Sequence, residues 1–260
     1  MGSTQQFLAR AIEAARAAEV VIRHYYQGEF EVSDKADDSP VTVADVESER
    51  AIKSVLSDAF PEHGFYGEEL GRESADAEYV WLIDPIDGTK SFVRGYPFFS
   101  TQIALMHRGE LVVGVSNAPM FNGGEMAAAA LGEGATLNGE PIRVSEVDRL
   151  DRATLSLGNI GTLAGSDRWS NVGELLRAVH RHRGYGDFYH YHLLAAGRID
   201  LIVESDLNIL DIAALAVILR EAGGEIGQLD GGPIGLDTTS VFASNGRVGD
   251  AARRILRLPD

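Results

Sequence analysis

Apolar residues recur near the helical period at the start of the chain, where Phe7, Leu8, Ile12, Ala15, Val20 and Ile22 predict an amphipathic helix. A charged, turn-rich segment over 31–40 (EVSDKADDSP) closes on Pro40. A second helix is expected to begin with Thr42 as N-cap and Asp45 three residues on, a capping-box pattern, and to run to about Phe60, where Pro61 stops it. The period then shortens. HGFYG and Val80–Asp84 (VWLID) read as strands, and STQIALMHRGELVVGVSNAP predicts a hairpin joined at Arg108-Gly109. MAAAAL and RATLSLG read as further strands, Val172–His180 and Phe188–Ala196 as helices, and Arg198–Glu204 as a strand. Asp211–Ala222 reads as a helix ended by Gly223-Gly224. Helices and strands mix without strict βαβ alternation, which favours a layered α/β fold with antiparallel pairing over a Rossmann arrangement. The charged stretch Ser145–Leu150 is the natural boundary, leaving an N-terminal α+β part over 1–147 and a C-terminal α/β part over 148–260.

Composition narrows the function. A chain of 260 residues buries a substantial core without covalent staples. It has no cysteine, which removes disulfides, thiolate metal sites and a cysteine nucleophile. The 23 basic against 39 acidic residues leave a net charge of −16, which argues against nucleic acid or an anionic membrane as partner. The N-terminal stretch carries Glu13 and Glu19 among its apolar positions, so it reads as neither a signal peptide nor a span. A soluble, cytoplasmic protein is expected. If its substrate is a phosphate, that charge demands metal ions.

The segment WLIDPIDGTKSF (81–92) concentrates the chemistry. An apolar strand delivers Asp84, Pro85 is expected to turn the chain, and Asp87 returns a second carboxylate beside the first. Gly88 permits close backbone approach, and Thr89 opens a short helix whose N–H groups point outward. Two carboxylates and a helix start suit a hard cation and a phosphate together. The plainer reading is a turn in which Asp87 caps the helix. Glu68 and Glu69 follow a strand and equally suit a solvated loop, and Asp211 in NILDIAAL equally suits a first-turn acid. Their joint occurrence with DPIDGT favours chemistry.

Together GEE (67–69), WLIDPIDGTKSF (81–92) and LDIAA (210–214), with SPVTVAD (39–45) upstream, resemble the inositol monophosphatase family of metal-dependent phosphomonoesterases. The resemblance covers nearly the whole chain, in order and at family-like spacing. It implies a layered αβαβα sandwich of the inositol monophosphatase / fructose-1,6-bisphosphatase type, a homodimer, and two or three Mg2+ ions per active site. By position, Glu68, Asp84, Asp87 and Asp211 match metal ligands, with the Ile86 carbonyl completing one site. Gly88 and Thr89 match backbone donors to phosphate. Asp45 and Thr89 match the pair that orients the attacking water, with Glu68 beside them in the catalytic set. The family often has Trp before the last Asp; here it is Leu210, which leaves the ligand intact and changes its packing.

On the substrate side, DGTKSFVRGYPFFSTQIAL with Lys90 and Arg94, and YGDFYHYHLLAAGRIDLIVE (185–204), resemble the histidinol-phosphate phosphatase branch more than the inositol branch. Asp187 and Phe188 stand where the inositol branch usually has small residues, and a carboxylate with an aromatic ring suits an amine and an imidazole. Asp187 also reads as the cap of the next helix. Glu204 matches a substrate-contacting acid. L-histidinol phosphate is therefore the expected substrate, in histidine biosynthesis, with inositol 1-phosphate or a related sugar or nucleotide phosphate as the alternative. An aspartyl-phosphate mechanism is disfavoured because Pro85 stands where that nucleophile belongs, two residues before Asp87. A non-catalytic relative would not need every catalytic position filled. The pairs His180/His182 and His190/His192 point apart at i, i+2 on a helix and make poor metal sites. Tyr25-Tyr26 and Phe98-Phe99 read as packing.

Overall fold

The computed structural model describes residues 3–26, 28, 32–34 and 40–258. Most of the charged segment 31–40, with the turn expected there, lies outside the described residues, as do Met1, Gly2 and Ser39. Its described ends pair antiparallel as β1 (Val32–Asp34) and β2 (Pro40–Thr42). Helix α1 (Thr4–Tyr25) buries Phe7, Ala11, Ala14, Ala15, Ala18 and Ile22, whereas Val20, expected in the apolar stripe, is 71% exposed. Helix α2 (Val43–Ala59) starts at the expected Thr42–Asp45 capping box.

Among the described residues, one sheet holds β3 (Gly64–Gly67), β4 (Gly71–Glu73), β5 (Tyr79–Asp87), β6 (Ser100–His107), β7 (Glu110–Ala118), β8 (Glu125–Ala130), β9 (Gly134–Leu137) and β10 (Glu140–Ile142). Their order is β10-β9-β8-β7-β6-β5-β3-β4, antiparallel except for β3 beside β5. The predicted hairpin is β6–β7, turning at Arg108-Gly109. A second sheet holds β11 (Thr154–Leu157), β12 (Arg181–Arg183), β13 (Leu201–Ser205), β14 (Glu225–Gly227) and β15 (Ser240–Ser244), in the order β12-β11-β13-β15-β14. The remaining helices are α3 (Thr89–Val93), α4 (Ile160–Ala164), α5 (Trp169–Ala178), α6 (Asp187–Ala195), α7 (Ile209–Glu221) and α8 (Gly249–Leu256). The helix expected to reach His180 stops at Ala178, and His182 lies on β12 rather than on a helix.

Strand alternation sorts the core into layers. Trp81 and Ile83 of β5 face α1 and α2, while Val80 and Leu82 face α6 and α7. The second sheet covers the other side of α6 and α7 with Ile202, Val241 and Ala243, and turns Leu155, Leu201 and Phe242 toward α4, α5 and α8. The order is thus α-β-α-β-α, the sandwich expected. Helix α7 is apolar on all sides, as a helix between two sheets must be. It lies so close to β7 that a Cβ on Gly114 would come within 2.3 Å of the Ala214 carbonyl oxygen. Gly223, at φ 89°, and Gly224 close it, as expected, by donating to the Arg220 and Leu219 carbonyls, which is a Schellman arrangement. No helix of the described residues is long and apolar enough to cross a membrane.

Candidate active site

Pro85 does not turn the chain. Strand β5 continues through it, and the register shows what it does instead: Asp84 pairs with Gln102 and Asp87 with Ser100, so Pro85 and Ile86 together stand against Thr101 alone. In a regular strand, an odd spacing sends two side chains to opposite faces; the bulge absorbs one residue and returns both carboxylates to the same face. Proline, lacking an N–H, is tolerated at such a bulge. Thr101 Oγ1 donates to the Pro85 carbonyl at 2.9 Å, and the Ile86 N–H donates to Asp84 Oδ1 at 3.0 Å, fixing the bulge from both sides.

The third carboxylate comes from α7. Helix α7 begins two residues earlier than expected, with Asn208 as N-cap and Asp211 at the third position of a capping box. The Asn208 N–H donates to Asp211 Oδ2 at 2.7 Å and Asn208 Nδ2 to Oδ1 at 3.0 Å. The plain reading of Asp211 as a first-turn acid and the chemical one are therefore both satisfied. Asp84, Asp87 and Asp211 each place a carboxylate oxygen within 4.8 Å of the others. Glu68, just beyond β3, has its N–H bonded to the Ile83 carbonyl at 3.1 Å and its side chain hydrogen-bonded to Asp84.

Buried carboxylates gathered this closely ionise less readily than free ones. Burial, then Glu68, Asp87 and Asp211, push Asp84 well above the usual carboxylate range. Asp87 is pushed well up by burial, then by Asp211, Asp187 and Glu204. Burial also lifts Asp211 to about 7, against the opposing bonds from Asn208. All the donors are oxygens and each acid disfavours ionisation of the next, so the site fits a hard divalent cation, which would reverse each shift.

Thr89 opens α3 beside this cluster. Its Oγ1 lies 3.1 Å from the Ile86 carbonyl oxygen and 3.3 Å from Asp45 Oδ1, each an acceptor for its one hydroxyl proton. The other oxygen of Asp45, Oδ2, accepts the Thr42 N–H at 2.8 Å and its hydroxyl at 2.6 Å. Asp45 thus both caps α2 and addresses Thr89. Gly88 has φ 95°, and a Cβ there would meet the Phe98 carbonyl oxygen at 2.9 Å, so the turn into α3 needs glycine on both counts.

Glu68, Asp87, Gly88, Thr89, Lys90, Asp187, Glu204 and Asp211 line one cavity of about 500 Å³, with Asp84, Asp45 and Ile86 buried behind its wall. The residues matched to metal, phosphate and water, with Asp187 and Glu204, are therefore in or against this cavity, whereas Glu69 and Arg94 are not among its lining residues. Phe188, expected beside the substrate, is instead wholly buried in the core against Phe98, Phe121 and His192. Asp187 does not cap α6: Gly186 holds the N-cap position, and Asp187 is the first helical residue, in the left-handed region at φ 45°. Enclosure by protein and the neighbouring Glu204 lift it to about 6, while His190 pulls the other way.

Several supporting residues escape sequence reasoning. Glu204 Oε2 accepts the Tyr191 hydroxyl at 2.6 Å and lies 3.1 Å from His190 Nε2, whose Nδ1 faces Ser156 Oγ at 3.2 Å. His192 turns the other way to Glu125 Oε1, 2.8 Å off, so the two histidines diverge as their spacing requires. Asn208 is the evident cap of the Asp211 helix. Glu49, one turn after Asp45, has a carboxylate that holds the turn carrying Glu68 by accepting the Glu69 and Leu70 N–H groups. Tyr26, Phe92 and Phe99 pack together, and Phe98 packs on Phe121 and Phe188, so the aromatic pairs serve the core.

A five-layer sandwich with an oxygen-only acid cluster at a strand bulge, opposite a helix start, defines a class of metal-site proteins. The Inositol monophosphatase family matches residues 3–257, and the chain belongs to it. It is 38% identical over 228 residues to the bifunctional phosphatase IMPL2 of Arabidopsis thaliana, covering 85% of this chain and 64% of that protein. It is 36% identical over 242 residues to the histidinol-phosphatase of Mycobacterium tuberculosis, covering 91% and 92%. The inositol monophosphatase of Anabaena superposes with a TM-score of 0.83 at 30% identity, covering 98% of this chain and 97% of that one.

Proposed function

We propose that the protein is a Mg2+-dependent phosphomonoesterase that cleaves L-histidinol phosphate to L-histidinol and phosphate. The observation that carries the reading is the convergence of Asp84, Asp87 and Asp211 within 4.8 Å of one another at a cavity that Asp187 and Glu204 also line. Asp84, Asp87, Asp211 and Glu68, with the Ile86 carbonyl, would hold two or three Mg2+ ions. Bound there, the ions supply charge neutralisation of the phosphate and a lowered pKa for water.

The chain's own residues do the rest. Asp45 accepts the Thr89 hydroxyl proton, which leaves a Thr89 Oγ1 lone pair to accept a hydrogen bond from the attacking water and so to aim it. Gly88 and Thr89 present first-turn N–H groups, which have no partner inside α3, to phosphate oxygens. Asp187 and Glu204 meet the far end of the substrate, where two carboxylates suit an ammonium or imidazolium better than a polyol. The likeness to a named histidinol-phosphatase supports this choice, and the likeness to an inositol monophosphatase structure keeps inositol 1-phosphate as the rival. The family resemblance also favours a homodimer, a cytoplasmic setting, and a division in which 1–147 supplies most of the metal and phosphate contacts while 148–260 supplies Asp187, Glu204 and Asp211.

The test is steady-state kcat/KM for the two phosphates side by side with Mg2+. A preference for histidinol phosphate of at least tenfold is expected. A preference for inositol 1-phosphate overturns the substrate assignment and leaves the phosphatase reading intact.

A further inference from the structure

Glu49 lies one turn beyond Asp45 on the same face of α2, and both side chains are buried, at 2% and 0% exposure. Asp45 turns toward Thr89, whereas Glu49 turns toward the chain leaving β3. Its Oε2 accepts the Glu69 N–H at 2.7 Å and its Oε1 the Leu70 N–H at 3.1 Å. The Glu68 N–H is already taken by the Ile83 carbonyl at 3.1 Å. Three successive amides are thus fixed, two of them by one carboxylate, and the first belongs to Glu68. Room for that carboxylate exists because residue 67 has no side chain: a Cβ on Gly67 would stand 1.7 Å from Glu49 Oε1. Gly67 is not among the residues with positive φ, so what it provides is space.

We infer that Glu49 is a positioning residue of the metal centre, clamping the 67–70 turn so that the Glu68 carboxylate enters the acid cluster at a fixed place beside Asp84. This rests on the reading of Glu68 as a metal ligand. Burial, and after it the neighbouring Glu69 and Glu68, disfavour a charge on Glu49, against the two backbone N–H bonds that favour it, so a carboxylate here is costly for a clamp that serves the turn alone. A cation bound at Glu68 would offset part of that cost.

The experiment is Mn2+ titration of the metal-free full-length protein by calorimetry, comparing Glu49→Gln, Gly67→Ala and Glu68→Gln. Glutamine keeps the shape but sets an amide nitrogen against one backbone N–H; the Gly67→Ala methyl displaces the carboxylate and keeps its charge. Loss of groups that orient a ligand costs 10–100-fold in metal affinity, so both variants should raise the Mn2+ Kd about tenfold. Such a rise without a matching fall in melting temperature sets positioning apart from a merely structural role. A rise of less than threefold in folded Glu49→Gln and Gly67→Ala overturns the inference. If Glu68→Gln itself leaves the Kd unchanged, the ligand reading has failed instead, and the clamp loses its purpose with it.

Discussion

Changing Asp187 to Asn separates charge from shape at the proposed substrate end of the cavity. Asparagine tolerates the left-handed backbone at φ 45° as well as aspartate does, and no cap is lost because Gly186 holds that position. Glu204 is held by Tyr191 and His190, and Asp87 and Asp211 belong to the acid cluster, which leaves Asp187 as the acid best placed to meet a substrate cation. A charge-assisted hydrogen bond contributes about 1.5–3 kcal/mol. Asp187 is solvent-accessible, so the lower end applies, and at about 1.4 kcal/mol per decade the loss is roughly tenfold in kcat/KM for histidinol phosphate. Inositol 1-phosphate has no cation to lose and should change by less than about twofold. Because Asp187 is lifted to about 6, its contribution to the wild-type preference should also fade as pH falls through that value, so the difference between wild type and variant should narrow there. Steady-state kinetics on both substrates from pH 5 to 8 measure this. An unchanged substrate ratio in Asp187→Asn refutes the assignment, because a folding defect lowers both substrates together.

Asp84→Asn or Asp87→Asn should lower Mg2+-dependent turnover at least ~100-fold while the melting temperature of the metal-free protein holds or rises, since one member of a repelling set is removed. Thr89→Ala should reduce kcat far more than it raises KM, and trapping of a phosphorylated enzyme in rapid-quench experiments would contradict attack by water. Asp84, Asp87 and Asp211 all have folded-state pKa values raised above the unfolded ones, so their contribution to stability is full at low pH and is lost as pH rises, for Asp211 through about 7. Thermal melts should show the metal-free protein weakening between about pH 4 and 7 and Mg2+ restoring it above that range; calorimetry in two buffers should show proton release on metal binding. Gly114→Ala should destabilise by about 1–3 kcal/mol in denaturant melts, through overpacking of α7 against β7.

Much of this was legible in the sequence because local rules and chemistry coincide there. The Thr42–Asp45 box, the β6–β7 hairpin and the Gly223-Gly224 stop follow from short-range spacing and are found as expected. The carboxylates were visible because DPIDGT packs two of them into one segment. The bulge at Pro85 was not, because a proline after a strand signals a turn equally well, and pairing with Ser100 and Gln102 decides between the two. Asn208 is not marked in the sequence as the cap, because an apolar run does not show its own first residue. His190 and Tyr191 read as part of an apolar helix until β13 brings Glu204 against them. Glu49 depends on a contact with residues 69 and 70, twenty positions away, which no local period encodes.

Phosphate release from histidinol phosphate by metal-free protein, titrated with Mg2+ and then with excess chelator, tests the central claim that the acid cluster works through bound cations. The account predicts no turnover without metal, a saturable rise as Mg2+ is added, and a return to zero with chelator. Turnover that persists undiminished in excess chelator would contradict it.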